Sequence, residues 1–146
     1  MNPLTRMSMV AGICFSVALF SQPLLAQACK DPETVVTNIQ QDLAGTVTSV
    51  RKESLGDFDA KFHQQATESK LAISVDTVND VLSCLAKASH DTTVTKAELD
   101  VIKTKQATYS KLKTTLQQYS SSLKAAKDDK TAKAEIEKFN FGAGQT

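Results

Sequence analysis

Two cysteines, Cys29 and Cys84, stand at nearly equal distances on either side of one turn signal, Ser54-Leu55-Gly56-Asp57. If the two segments between them are helices running antiparallel about Gly56-Asp57, residues at one level have numbers totalling about 113, and Cys29 and Cys84 meet that condition. Helix axes about 8–10 Å apart bring the Cα separation of about 5.5–6 Å that a disulfide prefers within reach. The expected bridge closes a loop of 56 residues, worth roughly 4 kcal/mol if it acts through unfolded-chain entropy. It confines the chain to a stapled helical hairpin with whatever packs on it.

Such a bridge needs an oxidising compartment, and the N-terminus carries an address for one. Arg6 is the only charge before Lys30, and an apolar stretch covers residues 7–20. Pro23 breaks the run, and Ala26-Gln27-Ala28 places small residues where a signal peptidase reads. This is the order of a secretory signal occupying residues 1–28 and cleaved after Ala28. The apolar stretch is shorter than the ~20 residues of a membrane-spanning helix, which argues against a retained anchor. Cys14 and all three methionines leave with the signal. Cleavage would leave Cys29 first in the chain, where a lipoprotein carries its acylated cysteine. Gln27 fits a lipobox poorly, so the disulfide reading of Cys29 is preferred. The protein is expected to be periplasmic or secreted.

What remains is a single domain over 29–146, 118 of the 146 residues, enough for a modest core. Only Arg6 is lost among the charges, so 16 basic and 16 acidic side chains balance. That balance excludes a general nucleic-acid binder. The distribution is uneven: residues 29–95 carry 6 basic and 10 acidic groups, residues 96–146 carry 10 basic and 6 acidic. A basic C-terminal helix beside acidic neighbours accounts for it.

The fold class expected is all-α, an antiparallel three-helix bundle or hairpin with a short fourth helix and one disulfide. The helices fall at about 32–55, 57–88, 96–127 and 129–140, with a flexible tail at 141–146. Asp31-Pro32-Glu33 is a strong start, with a capping carboxylate, proline in the first turn and an acid near the helix dipole. Val36, Ile39, Leu43 and Val50 follow at helical spacing, widened by Val35 and Val47. The β-branched run Thr46-Val47-Thr48-Ser49-Val50 would also suit a strand, but no second strand-like segment could pair with it. Gly45 reads as a tolerated helix glycine costing about 1 kcal/mol. Asp57 is expected to cap the second helix.

That second helix shows two apolar stripes, Phe58, Phe62, Ala66, Ser69 and Ile73 on one side and Leu71, Val75, Val78, Leu82 and Leu85 nearly opposite. Cys84 falls on the first of them. A helix apolar on two faces is normally sandwiched between neighbours, so this one is expected at the centre. Thr95-Lys96-Ala97-Glu98 is a capping box. Ile102, Tyr109, Leu112, Leu116, Tyr119, Leu123 and Ala126 then give the cleanest seam in the chain, suited to left-handed packing. Asp128 or Asp129 can cap a last helix that docks through Ile136 and Phe139.

Candidate sites for chemistry are few. Asp59 and His63 share a helical face, but two ligands do not make a metal site. Asp76 and Asp80 form a carboxylate pair of the kind that splits its pKa values only when buried, and His90-Asp91 falls in a loop. Phosphate loops, nucleophile elbows and haem motifs are missing from the sequence, as are tryptophan and, after cleavage, methionine. No enzyme, metal or cofactor is therefore expected. An exported, disulfide-stapled helical bundle resembles periplasmic chaperones and secretion-system immunity proteins in architecture alone, which carries no function by itself.

The leading expectation is a non-catalytic protein of the cell envelope acting through protein contacts, as an inhibitor, immunity factor, adaptor or chaperone. The alternative is an envelope-surface protein whose third helix binds anionic lipid or polymer through Lys103, Lys105, Lys111, Lys113, Lys124 and Lys127. The sequence leaves the partner and the oligomeric state open.

Overall fold

The computed structural model describes residues 29–141; the expected signal segment, 1–28, and residues 142–146 lie outside the described residues. Among the described residues four helices follow in order, with no strand: α1 Pro32–Lys52, α2 Ala60–Ser89, α3 Lys96–Ala125 and α4 Asp129–Glu137. Residues 46–50, which could also have read as strand, are helical.

Each helix starts on a side chain that accepts from the exposed amides of its first turn. Asp31 accepts from the Thr34 amide at 3.0 Å, and Thr95 and Glu98 exchange the two bonds of a capping box. Asp128 accepts from the Thr131 amide at 2.8 Å. The α2 cap departs from the expected one. Asp57 is held by Ser54, whose hydroxyl donates to its carboxylate at 2.5 Å, so Asp59 becomes the cap and accepts from the Phe62 amide at 3.0 Å. The displaced start turns Phe58 inward as a buried loop residue. Gly56 does not adopt positive φ, so this connection does not depend on glycine's freedom.

The antiparallel register of α1 and α2 agrees with the spacing of the cysteines. Cys29 and Cys84 are disulfide-bonded with Cα atoms 5.2 Å apart. Lys70 reaches Asp42 at 3.0 Å and His63 reaches Glu53 at 2.8 Å. The three pairs of numbers total 113, 112 and 116.

The core runs down the middle, with Leu43, Val50, Leu71, Val78, Val81, Leu116, Leu123 and Ile136 almost wholly buried. Each such side chain contributes about 1.5–3 kcal/mol of transfer free energy. The α3 seam forms as its periodicity predicts: Tyr109, Leu116 and Leu123 are buried, and Ile102, Leu112, Tyr119 and Ala126 pack against them.

The two ends of the bundle are closed differently. The disulfide ties one end. At the other, α4 docks through buried Ala132, Ile136 and Phe139 and shares its side chains with neighbouring helix termini. Lys133 donates to the Val50 carbonyl at 2.6 Å, while Arg51 donates to the Glu137 carbonyl at 2.9 Å. Gln64 closes α3 by donating to the Leu123 carbonyl at 2.6 Å and the Ala126 carbonyl at 3.2 Å. These groups satisfy carbonyls that a helix end leaves without intrahelical partners. Phe141, expected in a flexible tail, instead packs edge-on against Tyr119 at 5.6 Å between ring centres.

Candidate functional site

Two expectations for α2 are corrected. Its buried residues are Thr67, Leu71, Ser74, Val78, Val81, Cys84 and Leu85. Apart from Cys84 they follow one stripe at alternating spacings of four and three. The other stripe is not covered: Phe62 is 64% exposed, Ile73 is 62% exposed, and Ala66 and Ser69 are exposed between them. The helix is not sandwiched, because α1 and α3 both lie toward its inner stripe and α4 is spent on closing an end. Cys84, in line with the outer stripe by helical angle, is covered at the level where Cys29 is bonded to it.

The uncovered face comprises Phe62, Gln65, Ala66, Ser69, Ala72, Ile73 and Asp76, all exposed and all at helical spacing. It forms a ridge between two depressions. The depression toward α1, about 440 Å³, is lined by Gly45, Thr46, Ala66, Thr67 and Lys70 among others. The depression toward α3, about 540 Å³, is lined by Lys61, Gln65, Glu68, Ser69, Lys124 and Lys127 with Asp128 and Asp129. Thr67 lies at the foot of the first. Its hydroxyl is buried and has no hydrogen-bond partner.

A second recess lies where α1 and α3 fail to meet. No Cα of α1 comes within 8 Å of one in α3, and the space between, about 730 Å³, has Val36, Tyr109, Leu112 and Phe141 as its apolar lining. The Glu33–Lys105 ion pair spans it at 2.6 Å. Tyr109 is only 7% exposed, and burial raises its phenol above the ordinary value of 10.0. Hydrogen bonding to Glu33 raises Lys105.

The six lysines expected to form one face are divided. Lys105 and Lys111 line the recess between α1 and α3, whereas Lys124 and Lys127 line the depression between α2 and α3. Lys103 is exposed and Lys113 half-buried.

The expected Asp59–His63 pair is separated by function: Asp59 caps α2, and His63 bonds Glu53 and stacks on Phe58 at 4.7 Å between centroids. Asp76 is exposed and Asp80 half-buried. Among the described residues no group of three or more His, Cys, Asp or Glu is placed to hold a metal. No helix among them is long and apolar enough to cross a membrane.

Sequence reasoning missed the unpartnered Thr67, the recess, and the ring cluster of Tyr119, Phe139 and Phe141, where Tyr119 stacks on Phe139 at 4.3 Å. Counting Thr67 and Ser74 as small apolar residues would have revealed the single inner stripe. Comparison with protein-family models, curated proteins and solved structures finds no match.

Proposed function

We propose that the protein is exported to the cell envelope and acts there without catalysis, by docking another protein surface on the outer face of α2. The observation that carries this reading is that face: two large apolar side chains, Phe62 and Ile73, more than half exposed on a helix whose opposite side already supplies the core. Exposed apolar patches on soluble domains mark contact surfaces, and a helix presenting i, i+4, i+7 and i+11 anchors is a recurrent mode of recognition. The disulfide supports the oxidising compartment that this reading requires.

The lysines of α3 and Lys127 just beyond it support the lipid or polymer reading less well. They are split between two recesses, and Lys105 is held by Glu33.

A photo-crosslinking residue at Ser69, compared with one at Thr108 on α3, tests the proposal in the native envelope. A discrete protein adduct formed from position 69 and lost in Phe62→Asp is expected. Absence of any protein adduct from position 69 would overturn it. Salt-sensitive binding to anionic vesicles, unchanged in Phe62→Asp, would favour the lysine reading instead.

A further inference from the structure

We infer that the outer face of α2 pairs with the same face of a second copy of this chain, antiparallel about a twofold axis near Thr67 and Glu68. The inference rests on the protein-contact reading and names its partner. What points to a second copy is that the central stripe of the face, Phe62, Ala66, Ser69 and Ile73, reads nearly the same in both directions. Outward from the centre come small residues, Ala66 and Ser69, and then large ones, Phe62 and Ile73. A twofold contact needs this property, because each patch must complement itself. Antiparallel pairing sets Ala66 against Ser69 of the second copy and Phe62 against its Ile73. Small residues at the crossing permit the close end of the usual range of axis separations, about 8 Å.

The charges agree with that register. Lys61 and Asp76 are exposed, at opposite ends of the face and toward the same flank. Antiparallel pairing brings Lys61 of each copy to Asp76 of the other, giving two ion pairs for one geometry. A parallel arrangement would place Lys61 of one copy and Asp76 of the other at different levels and on opposite flanks, with no ion pair between them. Glu68, closest to the axis in number, is directed to the α3 flank, where it shares a depression with Lys61, Lys124 and Lys127. Lys70 on the other flank is held by Asp42 and Thr46. The contact extends over about three helical turns, roughly 16 Å at 1.5 Å per residue. A single-helix contact of that length is short for a standard interface of ~800 Å² per partner, so the dimer is expected to be reversible and concentration-dependent.

Sedimentation of the oxidised chain 29–146, which contains every described helix, tests this from low to high micromolar concentration. A monomer–dimer equilibrium is expected, with Phe62→Asp weakening it at least tenfold, as loss of an aromatic anchor does, since the twofold repeats the change at both ends of the contact. Phe62 is exposed in the monomer, so its far-UV circular dichroism should be unchanged. Lys61→Asp and Asp76→Lys should each weaken the dimer, and the double variant should restore it, because the reversed charges again face each other. A wild-type monomer at every concentration overturns the inference, as does a dimer indifferent to Phe62→Asp or a charge reversal that fails to restore it. A heterologous adduct from position 69, together with a monomer in sedimentation, overturns self-pairing while leaving the protein-contact reading standing.

Discussion

At the scale of single residues, Thr67 has the least favourable chemistry in the core. It is 1% exposed and its hydroxyl bonds to nothing, whereas Ser74, one heptad on, donates to the Lys70 carbonyl at 2.7 Å. A buried hydroxyl without a partner forfeits its hydration, at roughly 1–3 kcal/mol. Thr67→Val keeps the shape and removes the hydroxyl. Thermal denaturation should show a gain of about 1 kcal/mol, a rise of ~4 °C in a domain of this size; a fall would mean that the hydroxyl has a partner in solution. The residue also shows where sequence becomes illegible. Leu71, Val78 and Leu85 announce burial by their apolarity, but Thr67 is buried only because it lies on their stripe. The shift of the α2 cap from Asp57 to Asp59 has a similar origin: both are good caps, and Ser54 decides between them by engaging Asp57.

At the scale of elements, the helix starts were the most legible features, since a cap and the amide that donates to it lie within four residues of each other. They also set the acid response. Hydrogen bonds from Thr34 hold Asp31 below the usual carboxylate range, those from Thr95 do the same for Glu98, and those from Thr131 for Asp128. A carboxyl whose pKa is lower folded than unfolded stabilises the fold above its unfolded value and loses that contribution as pH falls through its folded one. Stability and helical circular dichroism should therefore hold down to about pH 4 and decline below it, as the starts of α1, α3 and α4 lose their caps together. A decline centred near neutral pH would contradict this. Gly45 gives an element-scale test of opposite sign. A Cβ built there meets nothing within 4 Å, so the glycine serves no close approach. Gly45→Ala should raise the urea midpoint by the equivalent of about 1 kcal/mol. Which stripe of α2 is covered could not be read from sequence. Periodicity specifies that a face is apolar, and only the arrangement of the other helices determines what lies against it.

At the scale of the whole molecule, the cysteine spacing carried the most information, because the pairing, the turn between them and the antiparallel register are one geometric statement. Intact mass of the oxidised chain beginning at Cys29 should be lower than the reduced mass by two hydrogens. Reduction should destabilise the fold by roughly 4 kcal/mol on the chain-entropy account, seen as a lower denaturation midpoint without loss of helix at neutral pH. A lipid-modified Cys29 would instead add mass and leave no bridge to reduce. The backbones of α1 and α3 stay apart and are bridged by the Glu33–Lys105 pair, which has a consequence of its own. The closest packing in the bundle joins α2 to α3, whereas α1 is fastened toward its two ends, by the disulfide and the Glu33–Lys105 pair and by the side chains exchanged with α4, and has close backbone packing only on α2 between them. Protection from amide hydrogen exchange should be layered accordingly, greatest along the paired α2 and α3 and weaker through the middle of α1. Cutting the bridge would then release α1 as a separately opening unit before the hairpin beneath it unravels.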